Sequence, residues 1–206
     1  DKNTIKFIEK ICEKDPRINF YTSNKNTGKI GQTKHICSQL STGKYIVELD
    51  HDDQLHEKCL QYFIKTFDYY SDVGYASTDY AFLSENTHDP LLWGAGYTLG
   101  FGKYYTEYYR DKYYEVAYYN SNCATIRHNT GMPNHARAWR KDWYNKHGGI
   151  NYNLHIMDDF DLFIRAFLTT DLARIPRMGY IQYHYNGQNT TNVRNAEMQR
   201  ASRYIK

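Results

Sequence analysis

Asp50, Asp52 and Asp53 put three carboxylates within four residues at the end of a short apolar stretch, Tyr45-Ile46-Val47-Glu48-Leu49. Carboxylates this close repel one another unless a positive charge lies between them. If the extended geometry persists, Asp50 and Asp52 project to the same side, where their oxygens converge on one hard divalent cation. A solvated acidic turn is the competing account, with Asp53 capping the helical pattern that begins at Leu55-His56-Glu57. A second acidic group, Asp158, Asp159 and Asp161, surrounds the first turn of another expected helix. Free amides and the helix dipole stabilise carboxylates there, which suffices to explain at least one of them. A general base so placed is rigidly held but weakened by the helix end, unless burial compensates. His184 and Asn186 form a third set, each able to add a polar or metal contact.

These groups need a scaffold. Tyr45, Val47 and Leu49 alternate with Ile46, Glu48 and Asp50, the period of a strand expected to be buried up to its last residue. Ile5, Ile8, Ile11 and Cys12 recur at helical spacing and stop at Asp15-Pro16, and Ile18-Asn19-Phe20-Tyr21 reads as a short strand. The loop from Asn24 to Gly31 leads to a helix expected to turn Ile36, Cys37 and Leu40 inward, ended by Ser41-Thr42-Gly43. Leu60, Phe63, Ile64 and Phe67 mark the next helix and Val73 to Ser77 the next strand. Alternation of strand and helix over the first eighty residues predicts an α/β fold, a mostly parallel sheet flanked by helices. Ligands in such sheets bind beyond the carboxyl ends of strands, where the first carboxylates sit. Further on come a strand at Ala136 to Trp139, a short helix ending at Gly148-Gly149 and a helix with Phe160, Phe163, Ile164, Phe167 and Leu168 on one face. A last strand at Gly179 to Tyr183 and a helix from Asn195 follow.

Residues 84 to 133 break this rhythm. The chain holds 22 tyrosines, and the run from Tyr104 to Tyr119 is too aromatic to assign by period. It reads as an inserted flap whose rings and hydroxyls suit the faces and rims of carbohydrates, although packing accounts for any single tyrosine. With 26 basic and 23 acidic residues the net charge is +3 and no basic block stands out, which argues against nucleic-acid binding. Cys12, Cys37, Cys59 and Cys123 form no C-x-x-C pair and read as reduced core residues. No stretch is apolar for the roughly 18 residues a transmembrane helix needs.

The order of motifs resembles the inverting, nucleotide-sugar-dependent glycosyltransferases of the GT-A fold called family 2. The matching residues are Asn26-Thr27-Gly28, Lys34-His35, Gly43-Lys44-Tyr45-Ile46, Leu49-Asp50-His51-Asp52-Asp53, Ala138-Trp139-Arg140-Lys141, Gly148-Gly149 and Asp158-Asp159-Phe160-Asp161-Leu162. The resemblance implies a single GT-A-like domain over residues 1–206, with 84–133 as an acceptor-side flap. It implies that Asp50 lies near the donor ribose and the metal, that Asp52 is a metal ligand, and that Lys34 and Gly28 contact the donor. Mn²⁺ or Mg²⁺ is the implied cofactor, with His184 or Asn186 as alternatives for a third ligand. Asp159 corresponds to the catalytic base, and Asp158, Trp139 and Arg140 to acceptor contacts. Asp158 replaces the usual Glu, and Asn186 stands at the family's usual His position.

The implied reaction is inverting transfer of a sugar from a nucleotide-diphospho-sugar to a hydroxyl of a glycan or related acceptor, as in polysaccharide biosynthesis. The family ordinarily begins with a further strand, helix and strand, so the expectation is an N-terminally incomplete domain, with a missing N-terminal portion or a homo-oligomer among its expected partners. A cytoplasmic location, peripheral to a membrane in the full-length protein, goes with this reading. Two other classes use the same residues: a nucleotidyltransferase or metal-dependent phosphohydrolase, and an inactive carbohydrate-binding or scaffold domain derived from a transferase.

Overall fold

The computed structural model describes residues 2–23, 28–92, 102–128, 133–184 and 193–205, with side chains up to 202. In chain order these residues form α1 (Lys2–Lys14), α2 (Ile30–Leu40), β1 (Tyr45–Val47), β2 (Gln54–Leu55), α3 (Cys59–Tyr69), β3 (Val73–Ser84), β4 (Gly102–Tyr109), β5 (Lys112–Tyr119) and α4 (Cys123–His128). They continue as β6 (Arg137–Arg140), α5 (Lys141–Lys146), α6 (Asp158–Thr169), β7 (Asp171–His184) and α7 (Asn195–Ile205).

Residues 73 to 81 of β3 are all buried, because neighbouring strands and helices leave no free face. Strands run in the order β1-β6-β3-β5-β4, with β7 also pairing β3 and β2 pairing β7. Of these pairings only β3 with β7 is parallel. The sheet is therefore mixed and mostly antiparallel, not mostly parallel as the helix–strand alternation predicts. The reason lies in adjacency rather than direction. β1 and β3 do run the same way, but β6, from much later in the chain, lies between them and is antiparallel to both.

Two clusters anchor this sheet. Cys59, Phe63 and Phe67 on one stripe of α3 pack with Val73, Ala76, Tyr80 and Tyr180. Opposite them, Phe160, Leu162, Phe163 and Ala166 of α6 pack with Tyr75, Trp139, Trp143 and Tyr144. Burying one such side chain contributes about 1.5–3 kcal/mol, so the two helices hold the strand ends from which the acids project.

The tyrosine run is a two-stranded hairpin continuing the sheet, with Tyr108 opposite Tyr113 and Tyr105 opposite Val116. Its connecting residues Arg110 and Asp111 have φ of 44° and 62°, the left-handed pair that matches the twist of a tight hairpin.

Several local expectations are corrected. Residues 18–21 form no strand, and no strand among the described residues pairs with them; Ile18 and Phe20 stay 40% and 38% exposed. β1 is half-buried and ends at Val47, leaving Leu49 51% exposed, because it lies at the end of the sheet path. The buried residues of α2 are Gly31 and Ser38, while Cys37 and Leu40 face outward. All four cysteines are free, yet only Cys59 is a core residue; Cys37 and Cys123 are exposed. No helix among the described residues is long and apolar enough to cross a membrane.

Candidate active site

The backbone leaves the extended form after β1. Asp53 N–H donates to the Asp50 carbonyl at 3.2 Å, closing a turn. A turn brings residues three apart together, whereas an extended strand aligns residues two apart. Asp50 therefore meets Asp53 rather than Asp52. Donor atoms of Asp50, Asp53 and His135 all lie within 4.8 Å of one another. His135 Nε2 is 3.4 Å from Asp50 Oδ2. Asp52, a ligand by sequence spacing, is outside this trio, with Oδ1 3.7 Å from His51 Nδ1.

Tyr180 on β7 assembles the trio. Its hydroxyl donates to Asp53 Oδ2 at 2.8 Å and accepts the Asp50 N–H at 3.2 Å, and its ring stacks on His135 with centroids 4.6 Å apart. Tyr183 N–H donates to Asp53 Oδ1 at 2.9 Å. Asp53 is thus bound to β7 and does not cap α3, whose N-cap is Lys58. Burial pushes the Asp53 carboxyl up, against those two hydrogen bonds. Burial also opposes ionisation of Asp50, but His135, Lys34 and Arg137 more than offset it and hold the acid well below the usual carboxylate range.

Beside this trio lies a half-buried ion network centred on the buried Arg137. Arg137, on β6, donates to Glu48 at 2.9 Å and to Asp159 Oδ2 at 2.7 Å. Arg137 alone thus links the two acidic regions of the sequence, and Lys34 Nζ, 3.6 Å from Glu48 and 3.9 Å from Asp50, extends the network to the trio. Asp159 is pulled down to about 2: burial would raise it, and the Arg137 and Lys34 charges override burial. Its Oδ1 accepts the Phe160 N–H at 2.8 Å. Asp158 behaves oppositely. Burial, and then the adjacent Asp159, push it up to about 6, and its Oδ2 finds no hydrogen-bond partner among the described residues. Gly31 admits this side chain: a Cβ there would lie 3.1 Å from Asp158 Cβ, tighter than ordinary contact.

Trp139 and Arg140, also singled out by sequence, are engaged in other contacts. Trp139 is 0% exposed in the core, its ring 5.8 Å from Tyr75 and 5.9 Å from Tyr144, and so offers an acceptor no surface. Arg140 is spent on α3, donating to the carbonyls of Phe67, Tyr70 and Val73. His184 sits at the end of β7 with its ring against Phe82, and His135 occupies the histidine position of the trio. Gly28 has φ of 66°, a conformation that favours glycine. Asn186, Asn26 and Thr27 lie outside the described residues. Sequence reasoning gave no role to His135, Arg137, Glu48 or Tyr180. The available signal was modest: Glu48 shares a strand face with Asp50, and His135 and Arg137 flank the start of a strand.

Two carboxylates and an imidazole suit Mn²⁺, and the carboxylates also suit Mg²⁺. Such an ion would be held by Asp50, Asp53 and His135, and would supply positive charge beside their carboxylates.

The fold matches a crystal structure of residues 1–349 of TarS from S. aureus with a TM-score of 0.62 at 12% identity, over 98% of this chain and 52% of that one. The chain thus spans about half the length of the TarS chain it matches. No curated protein sequence matches. The family model described as glycosyl transferase family 2 matches residues 1–131. The chain belongs to that family and has its GT-A-like α/β fold. Metal-dependent transfer of a sugar from a nucleotide-sugar donor to an acceptor is typical of the family.

Proposed function

We propose that this chain transfers a sugar from a nucleotide-diphospho-sugar to a glycan hydroxyl with inversion, using a divalent cation. The observation that carries this reading is Lys34 Nζ, 3.6 Å from Glu48 and 3.9 Å from Asp50. Through Glu48 and Arg137 it joins the first acidic stretch to Asp159, more than a hundred residues away, in one centre.

Asp50, Asp53 and His135 hold the cation, with Asp52 and Gly28 lining the approach of the donor. Lys34 adds positive charge beside the diphosphate. Asp159 accepts the proton of the acceptor hydroxyl as that oxygen attacks the anomeric carbon and the nucleoside diphosphate leaves from the opposite face. Its two oxygens each accept one hydrogen bond, which leaves lone pairs for a proton. Arg137 makes it a weak base, so the proton moves only as the new C–O bond acidifies the hydroxyl. Alignment and charge stabilisation supply most of the acceleration. Residues 1–206 act as one domain, and the tyrosine hairpin within 84–133 faces the acceptor side.

A panel of nucleotide-sugar donors with Mn²⁺ or Mg²⁺ and short glycan acceptors tests the proposal. Transfer should depend on the cation, and Asp159→Asn should abolish it while nucleotide binding persists. Near-normal turnover by Asp159→Asn rules out its role. Phosphate release without sugar transfer would favour the phosphohydrolase class.

A further inference from the structure

Away from the acidic centre, a cavity of about 430 Å³ opens between the start of α3, β4 and β7. It falls within the roughly 300–1,000 Å³ range of small-ligand sites. Its walls include His56, Tyr62, Tyr105, Glu107, Tyr109 and Arg177. Tyr105, Glu107 and Tyr109 are spaced two apart along β4 and so share one face. His56 and Tyr109 meet at a tilt of 40° with centroids 4.1 Å apart, and His56 and Tyr62 stack with centroids 6.0 Å apart, making a continuous aromatic wall.

The polar groups on this wall have fixed roles. His56 Nδ1 accepts the Lys58 N–H at 3.1 Å, which places the proton of the neutral ring on Nε2 as a donor. Glu107 Oε2 accepts from Met178 N–H at 3.0 Å, which fixes the carboxylate while Oε1 keeps its acceptor capacity. Glu57 and Glu107 oppose Lys58 and Arg177 in number, so the cavity exerts no strong pull on an anion.

We propose that this cavity is a saccharide subsite separate from the transfer centre, taking a neutral sugar unit of the acceptor glycan. Ring faces cover the C–H patches of the sugar, while Glu107 accepts from its hydroxyls and His56 and Arg177 donate to them. The subsite rests on the reading that the acceptor is a glycan. His56 follows Asp53 by three residues, a span of about 10 Å at most in extended chain. One acceptor chain can therefore occupy both places, gaining affinity from the second contact.

The test is an array of neutral and anionic oligosaccharides probed with the full chain, without nucleotide or cation, followed by calorimetry on the best neutral binder. Tyr62→Ala and the surface variant Arg177→Ala should each weaken that binding tenfold or more, with thermal unfolding confirming that both fold. Asp50→Asn should leave it unchanged. The proposal is overturned by no binding, by binding only of anionic glycans, by Arg177→Ala and Tyr62→Ala both binding as wild type, or by equal loss in Asp50→Asn. Nucleotide binding with Mn²⁺ is measured separately, so a failed donor site and a failed saccharide subsite give different results.

Discussion

Two neighbouring groups of charges in this protein are built on opposite principles. The Arg137 network balances itself: Glu48 and Asp159 face Arg137 and Lys34, two negative and two positive. The trio of Asp50, Asp53 and His135 has two carboxylates and an imidazole, with Lys34 touching only one edge. A balanced half-buried network needs no external ion and serves to fix geometry. The trio, held together by Tyr180, keeps surplus negative charge that a divalent cation would relieve. The lesson is that acids in the same small region divide into those satisfied by the fold and those left for a ligand.

Removing the balance should have the largest effect. Arg137→Met leaves Glu48 and Asp159 without their guanidinium and should cost about 3–5 kcal/mol. In a chain of this size that lowers Tm by roughly 10 °C, read by calorimetry. If Tm is unchanged, the network is not what holds β6 to α6.

The trio should respond in function rather than stability. Asp50→Asn or Asp53→Asn should weaken Mn²⁺-dependent nucleotide binding about 100-fold by titration calorimetry while the fold persists. Equal loss of folding in these variants would erase the distinction between the two groups.

Asp158 sharpens the comparison, since it belongs to neither. Its acid is raised to about 6 in the folded protein, so between about pH 4 and 6 the folded state binds more protons than the unfolded. Stability contributed by its protonated form is present below that window and is lost as pH rises through it. Asp158→Asn should flatten this fall and stabilise the protein at pH 7 by on the order of 2 kcal/mol, measured by denaturant unfolding across pH. An unchanged pH profile would show that Asp158 ionises as an ordinary acid.

The smallest effect is expected at the outer face of the hairpin. Tyr108 and Tyr113 pair there with centroids 4.9 Å apart but are 58% and 74% exposed. Tyr113→Ser should change stability by only about 0.5 kcal/mol in urea unfolding.

Much of this arrangement was readable from residue order. The α3 and α6 stripes, the strand before Asp50 and the acids at the start of α6 follow from period alone. Proximity did not. The pairing of Asp50 with Asp53 depends on a turn that the aspartates allow, but Leu49-Asp50-His51, lacking Gly or Pro, does not decide between that turn and a continued strand. Arg137 and His135 enter the site through cross-strand register, Val47 opposite Ala138, a long-range fact that local patterns do not carry. The hairpin stayed hidden because tyrosine suits both faces of a sheet, and because its Arg110-Asp111 turn has no glycine to mark it. Trp139 and Arg140 matched a motif whose residues here serve packing and a helix end.

The position of β6 also bears on how the protein can be made. Among the described residues β1 pairs with no strand but β6, so its hydrogen-bonding edge stays open on the ribosome until Arg137–Arg140 has emerged. A fragment that stops just before that point would carry both the acidic turn and the whole of β3 without the strand that lies between β1 and β3, and would be prone to clump through its bare strands.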